Sequence, residues 1–371
     1  MRTLGVGLIG TGFMGKTHAM AWRAAAALTD ALQPALVSVA GNGGGGTHQM
    51  QRQFGFRRGV DDWRALIDDP EIDVISITSP NRFHAEQALA AIAAGKHVHC
   101  EKPLGHDAET AERMSLAAEK AGVITQVGFN YVKNPLVKLA RKMIAEGELG
   151  VITGFRGIHA EDYMADPATP WSWRLDPSGG AGALADLGSH ILGMARFLLG
   201  PISALFADLE TVIASRPSHV GASAHKTVDV NDIARLTVRF ARGCGGHIEA
   251  NWLAAGHKMQ LGFEVTGSQG ALIFDQARFN ELQYFRYGDN DANNGFRTLV
   301  AGPEHYPYGL LCPAPGHQLG FNDLKTLEVL EFIQSISQGK AIGPDFKEGF
   351  EIQKLVDAAV ASSRKGGWIA V

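Results

Sequence analysis

The sequence predicts an α/β plus α+β protein in two parts: an N-terminal doubly wound parallel sheet, then a domain on a large open, mainly antiparallel sheet. Three observations carry this. Short apolar runs alternate with helical stretches over the first 130 residues, and the first junction between them is rich in glycine. Beyond about residue 150 the texture changes to longer runs of alternating apolar and polar residues. A chain of 371 residues also exceeds what one hydrophobic core usually supports. We place the boundary between the two parts at 130/131, giving domains 1–130 and 131–371.

The elements follow in order. "LGVGLIG" (4–10) is an apolar run that ends in Gly10, and "TGFMGKTHAMAWRAAAAL" after it has helical spacing and alanine-rich content. "PALVSVAG" (34–41) reads as the second buried strand. "DVISITSP" (73–80) and "KHVHC" (96–100) repeat the pattern, preceded by the helical "DDWRALIDD" and "NRFHAEQALAAIAAG". "AETAERMSLAAEKAG" and "VITQVGF" add one more pair. Alternation of this kind implies parallel strands joined by right-handed crossovers, with ligands at the carboxyl ends of the strands. "IARLTVRF" (233–240), "GHIEANW" (246–252) and "LGFEVTG" (261–267) alternate with period two, as strands with one covered face do. There is no internal repeat, and "GNGGGG" (41–46) is the one low-complexity piece.

Composition bounds the function. Apolar residues make up 45% of the chain and charged residues 19%, a globular balance. The net charge is −4 with no basic stripe, so nucleic acid is not an expected partner. No apolar run reaches the ~18 residues of a membrane helix, and "MRTLGVGLIG" flows into the glycine motif rather than a cleavage site. Cys100, Cys244 and Cys312 are odd in number and widely spaced, which points to a reducing compartment. A cytoplasmic location is the expectation.

Gly10, Gly12 and Gly15 form G-x-G-x-x-G between strand and helix, the context of the Rossmann dinucleotide fingerprint. Glycines allow the tight turn and the close approach of a pyrophosphate, and the helix N-terminus offers free N–H groups. The acid that normally closes the fingerprint is missing. The second strand ends in Ala40, Gly41 and Asn42, beyond the usual ~20-residue spacing because the preceding helix is extended by "TDALQPA". Without the acid a 2′-phosphate is not repelled, yet 41–51 holds no Lys or Arg to attract one. NAD or NADP is expected, with a slight lean to NAD. The glycine run reads equally as a surface loop or as a wrap around the adenosine.

"GLIGTGFMGKTHA", "TSPNRFHAEQALAAIAAGKHVHCEKPLG", "VGFNYVKNP" and "SGGAGALADLGSHILGMARFLLG" together resemble the glucose-fructose oxidoreductase / inositol dehydrogenase (Gfo/Idh/MocA) family. The resemblance extends to "GHQLGFNDLKTLEVLEFIQSI" and the segment after it. "PWSWRLD", "NELQYF" and the long first helix look like a branch of glycoside oxidoreductases within it. The family's Glu-Lys-Pro is matched at Glu101, Lys102 and Pro103, and its Asp-x-x-x-His at Asp186 and His190. The resemblance implies that these side chains meet at a nicotinamide. It implies cofactor contacts from Gly10, Gly12, Phe13, Met14, Gly15 and Asn42, and from Ser79, Asn81, His84, Glu101, Lys102 and Asn130. It implies substrate contacts from Lys102, Tyr131, Trp173, Arg174, Asp186 and His190. The chain departs from the family at Gly41, where an acid is common, and at Lys133, where arginine often sits.

The chemistry of these residue types agrees. Oxidising a secondary alcohol needs a base for the hydroxyl proton and a group that stabilises the oxygen as hydride leaves carbon. A lysine at a parallel strand's carboxyl end can point into a cofactor crevice and stabilise alkoxide character. His190 is the better base by intrinsic pKa, and Asp186, four residues earlier on one helix, can orient it. The two roles are exchangeable between Lys102 and His190. Taken alone, an Asp and a His four apart are more often a surface pair, and a strand-end lysine can simply snorkel. "HVHC" suggests zinc, but on a strand His97 and His99 share one face while Cys100 takes the other, so no metal is expected. Trp171, Trp173 and Arg174 suit a sugar face, or equally core packing or an oligomer contact.

The expectation is an NAD(P)-dependent dehydrogenase acting on a sugar, glycoside or cyclitol hydroxyl. Loops 160–176 and 286–316 would shape its substrate pocket. An NAD-dependent glycosidase working by transient C3 oxidation, or a non-catalytic cofactor-sensing regulator, are the alternatives. A homodimer or homotetramer through the C-terminal sheet is the expected assembly.

Overall fold

β1 (Thr3–Ile9) buries Leu4, Val6, Leu8 and Ile9, and α1 (Phe13–Ala26) packs Ala19, Ala21, Trp22 and Ala25 inward. The computed structural model describes residues 2–43, 45–180, 182–288 and 293–371. Gly44 of the glycine run, Ala181 of "SGGAG" and 289–292 of the 286–316 loop therefore lie outside the described residues. β2 (Gln33–Ala40), α2 (Gly46–Phe54), β3 (Arg58–Val60), α3 (Arg64–Ile67) and β4 (Val74–Ile77) follow. Next come α4 (His84–Ala93), β5 (His97–Cys100), α5 (Ala108–Ala121) and β6 (Thr125–Val127). The six strands pair in parallel in the order β3-β2-β1-β4-β5-β6. The order reverses between β1 and β4, where this architecture opens a crevice at the carboxyl ends.

β1, β5 and β6 are buried along most of their length, because a parallel sheet is covered on both faces. β4 is buried at all four positions. α2 and β3 are elements that the local pattern did not predict. α2 starts on Gly45, at φ +78°, and buries only Thr47, Met50 and Phe54. Met50 and Phe54 join Leu8, Val39 and Phe56 in one cluster, so tertiary packing holds a polar helix in place.

The second unit begins with α6 (Pro135–Ala145), whose Leu136 N–H is capped by the Asn134 side chain at 2.8 Å. β7 (Ile152–Ala160) leads through a long loop to a π-helical segment, Leu184–Gly188, continued by α7 (Ser189–Leu199). β8 (Ile202–Glu210) precedes a small ribbon of β9 (Ser215–Pro217) and β10 (His225–Thr227). β11 (Ile233–Phe240), β12 (Gly245–Asn251), β13 (Gln260–Gly267), β14 (Gly270–Asp275), β15 (Glu281–Arg286) and β16 (Arg297–Val300) complete the run. With the closing β17 (Ile369–Ala370) these make a nine-stranded sheet, order β16-β15-β14-β13-β7-β12-β11-β8-β17. All pairs are antiparallel except β7 with β12. Period-two alternation is visible in β11, where Ala234, Leu236, Val238 and Phe240 are buried and Arg235 and Arg239 exposed.

The chain then returns. α8 (Phe321–Gln338) packs on α1, and Gly320–Gln353 groups with Met1–Lys133 as one compact unit. The other unit is Asn134–Leu319 with Lys354–Val371, so α9 (Phe346–Lys365) starts in the first and ends in the second. These compact units divide near the expected 130/131, at Lys133/Asn134, with Gly320–Gln353 added to the first. α8 is largely buried, including three charged residues, Lys325, Glu328 and Glu331. Among the described residues no helix is long and apolar enough to cross a membrane.

Candidate active site

In the first unit the glycine turn is built for close approach. Gly10 has φ +112°, a region that L side chains avoid, and a Cβ on Gly15 would collide with the Gly10 carbonyl. A Cβ on Gly12 would meet nothing within 4 Å, so this position faces open space. α1 starts there with no side-chain cap and no acid in its first turn, leaving its N–H groups and the positive end of its dipole free for an anion. Phe13 is 71% exposed and stacks with Phe321 at 6.0 Å; Met14 is half-buried. At the end of β2, Asn42 is exposed, and the Thr47 hydroxyl fills the space that a side chain at Gly41 would need. That hydroxyl is buried and has no hydrogen-bond partner.

After β4, Ser79 donates to Gln87 at 2.6 Å, and half-buried Asn81 opens the turn into α4. The buried His84 ring bridges Ser79 O and Pro103 O, each at 2.9 Å, and so ties the loops after β4 and β5 together. Burial lowers its pKa, against the pull of both carbonyls. Lys102 follows β5 and is half-buried. Glu101 beside it is 6% exposed, and its carboxylate bonds Lys325, His18 and the Lys102 backbone N–H. Burial would push Glu101 up, but Lys325 and His18 hold it well below the usual carboxylate range. Asn130 and Tyr131 are buried, Tyr131 facing Phe321 at 6.2 Å, and Lys133 pairs with Glu331.

In the second unit Asp186 sits on the π-helical segment, a local widening that often accompanies function. Its Oδ2 accepts from Tyr163 OH at 2.6 Å and from Arg174 Nε at 3.2 Å. The Arg174 guanidinium lies 4.5 Å from the Trp173 ring centre. Trp171 is taken up by Lys226, 4.5 Å from its ring. Tyr163 is 39% exposed as a residue, while its hydroxyl is packed against Asp186. Burial there, then the Asp186 charge, raises its pKa well above the ordinary value, so it stays a donor. His190, at the start of α7, is 8% exposed, with its ring 5.5 Å from that of His159. His159 in turn lies 3.0 Å from Leu187 O and 3.1 Å from Glu161. Fully buried Arg216 pins the loop that carries Tyr163, donating to Met164 O at 2.6 Å and Asp166 O at 2.9 Å. Sequence reasoning missed Tyr163, His159 and Arg216. Only their clustering in space marks them.

Residues 4–129 match a family model described as the oxidoreductase family, NAD-binding Rossmann fold, and residues 137–273 match the GFO/IDH/MocA C-terminal domain. The chain is 40% identical over 387 residues to levoglucosan dehydrogenase of Pseudarthrobacter phenanthrenivorans, covering 100% of this chain and 99% of the relative. This chain belongs to the Gfo/Idh/MocA family. Its similarity to myo-inositol 2-dehydrogenase of Thermotoga maritima is 30% identity over 302 residues, covering 81% of this chain and 83% of that one. Among solved structures, levoglucosan dehydrogenase in complex with NADH and levoglucosan superposes with a TM-score of 0.96 at 40% identity, covering 100% of both chains.

As a family member the chain is an oxidoreductase with an NAD-binding Rossmann domain. The residues fit that cofactor: the open position at Gly12, the uncapped start of α1 and the absence of acid there are what a pyrophosphate needs. A second donor set has metal-like spacing, since His18, His99 and Glu328 offer atoms within 4.8 Å of one another. Lys325 already places its ammonium 2.6 Å from Glu328 Oε1, so a cation's place there is filled by the protein.

Proposed function

We propose that this protein oxidises a secondary hydroxyl of a sugar, glycoside or cyclitol, with levoglucosan the first candidate because a 40% identical relative carries that name. The observation that carries the reading is the Asp186 carboxylate, fixed by Tyr163 and Arg174 four residues before His190. A carboxylate that accepts two donors is held as an anion and oriented, which suits a group that binds a hydroxyl or steadies an imidazole. His190 accepts the hydroxyl proton, Asp186 orients it, and Lys102 stabilises the oxygen as negative charge develops. NAD, when bound, supplies the hydride acceptor. Gly10, Gly12 and Gly15 with the α1 N-terminus hold its pyrophosphate, Phe13, Met14, Asn42, Ser79, Asn81 and Asn130 line its path, and His84 and Glu101 steady the backbone around Lys102. Tyr131, Trp173 and Arg174, with Lys102, Asp186 and His190, are the substrate-contacting residues of this reading.

The protein acts as a homodimer or homotetramer, joined through the open face of the nine-stranded sheet, and is cytoplasmic. The test is a screen of levoglucosan, L-sorbose, myo-inositol and simple glycosides with NAD and NADP side by side, following the absorbance of reduced nicotinamide. Accumulation of reduced cofactor with at least one sugar or cyclitol is expected. Release of an aglycone without net reduction would move the chain to the glycosidase reading, and cofactor binding without turnover on any substrate to the regulator reading.

A further inference from the structure

Behind Lys102 the first unit buries an ion network that the reaction itself does not require. Lys325, on α8, is fully buried and donates to Glu101 Oε1 at 2.8 Å and to Glu328 Oε1 at 2.6 Å. Glu328 Oε1 also lies 2.9 Å from His99 Nε2, and the His18 ring sits between Glu101 Oε1 at 3.0 Å and Ser76 Oγ at 2.8 Å. Burial, then Lys325 and His99, lowers the His18 pKa to about 3, so His18 is neutral and Lys325 is the cation of the set facing Glu101. Burying such a group is unfavourable unless every charge has its partner, and hydrophobic residues would serve stability as well.

The network ends on the catalytic loop. Glu101 Oε2 accepts the Lys102 backbone N–H at 3.2 Å, while Glu101 N–H bonds Ile77 O at 2.9 Å. Gly128 leaves room for this carboxylate, since a Cβ there would stand 2.6 Å from Glu101 Oε1. Along α8, Phe321 reaches Phe13 and Tyr131, Lys325 reaches Glu101, and Glu331 reaches Lys133. One helix thus supports the fingerprint, the Glu-Lys-Pro loop and the Asn-Tyr segment.

We propose that Lys325 is a positioning residue for the reaction: its ammonium anchors the Glu101 carboxylate, which through the Lys102 N–H fixes the backbone from which Lys102 projects. The inference rests on the proposed role of Lys102. Small misplacement of a reacting group costs on the order of 10–100-fold in rate, so Lys325→Met is expected to lower kcat by that amount. KM for the sugar and the NAD dissociation constant, read by quenching of tryptophan fluorescence, are expected within about threefold of wild type, because neither contact is removed. That variant leaves two buried carboxylates without a cation and can fail to fold. The combination Lys325→Met, Glu101→Gln, Glu328→Gln is neutral and of similar volume. It is expected to melt close to wild type, to bind NAD normally and still to show the loss in kcat, with a larger isotope effect for carbon-deuterated substrate. A wild-type kcat in the folded triple variant overturns the proposal, as does a loss confined to NAD binding. Wild-type turnover in Lys102→Ala would instead overturn the role assigned to Lys102.

Discussion

Lys102 lies one residue beyond a buried carboxylate that is held ionised and accepts the Lys102 backbone N–H, so Glu101 holds the loop from which the proposed catalytic Lys102 projects. Lys102→Ala is expected to cut turnover by at least ~100-fold while leaving NAD affinity within a few-fold, the scale of a lost electrostatic group. Steady-state kinetics with a titration of NAD check both halves. Tyr163→Phe removes a donor to Asp186 and keeps the ring, so kcat/KM is expected to fall by roughly 10–100-fold, the worth of a charge-assisted hydrogen bond. At the adenosine end the structure changes what a test of cofactor choice must be. Gly41→Asp alone would restore the missing acid, but its Cβ would collide with the Thr47 hydroxyl and stand 3.1 Å from Thr11 Cγ2. We expect that single variant to lose stability, about 1–3 kcal/mol as overpacking does, and to bind both cofactors worse. Gly41→Asp with Thr47→Ala removes the collision with the hydroxyl, leaving the tight Thr11 contact, and is expected to raise the preference for NAD over NADP by ~10-fold. Comparing kcat/KM for both cofactors decides it, and a wild-type preference for NADP above ~100-fold would contradict the weak discrimination argued here. What the sequence offers for Glu101, Lys102, Asp186 and His190 is motif spacing, which singles them out as candidates without their surroundings. Tyr163 and Lys325 carry no such mark, since one lies on an irregular loop and the other looks like any helical lysine until tertiary packing buries it.

Among the elements, those with a strong period were legible and those held by tertiary contacts were not. β1, α1, β2 and α5 follow from apolar runs and helical spacing, whereas α2 has only Met50 and Phe54 to hold it against the core, after a glycine run that favours no regular structure. The π-helical segment before α7 was equally hidden, because one extra residue per turn leaves no mark in a pattern of Ala, Leu and Gly. α5 allows a test of local logic. Its N-cap, Asp107, accepts the Thr110 N–H at 2.8 Å. Its pKa lies below the ordinary value: burial would raise it, but the bonds from Thr110 and the neighbouring His106 and Arg113 outweigh that. A carboxylate lowered in the folded state stabilises the fold above its unfolded pKa of about 3.9 and stops doing so as pH falls through the folded value. Asp107→Ala is therefore expected to cost about 1 kcal/mol at pH 7, with the difference from wild type shrinking below about pH 4. Urea melts of both proteins across that range measure it.

At the scale of the whole molecule, the nine-stranded sheet has two unlike faces. Phe155, Leu236, Val238, Ile248 and Ala250 point to the side where α7 packs, and a Cβ on Gly157 would stand 2.8 Å from Ile191. The opposite face carries Arg156, Ile158, Phe206, Arg235, Thr237 and His247, with Phe206 36% exposed. Its charges are already mixed in sign: Arg156 pairs with Glu264 at 3.1 Å, and Arg235 with Asp208 at 3.1 Å and Glu210 at 3.0 Å. A face that joins exposed aromatic surface to balanced charge suits a second copy of itself, because a twofold contact must be self-complementary. A purely solvated antiparallel sheet would show polar residues throughout. The chain mass is 39.6 kDa, so light scattering after size exclusion is expected to give a whole multiple of that value, two or four. Ile158→Asp with Phe206→Asp places two like carboxylates on each copy, which a twofold operation brings against their symmetry mates. The expected result is a shift to 39.6 kDa, with fluorescence-detected NAD binding retained because the fingerprint lies in the other unit. A monomeric wild type, or an oligomer that the double variant leaves intact, would assign this face to solvent and the assembly to another surface.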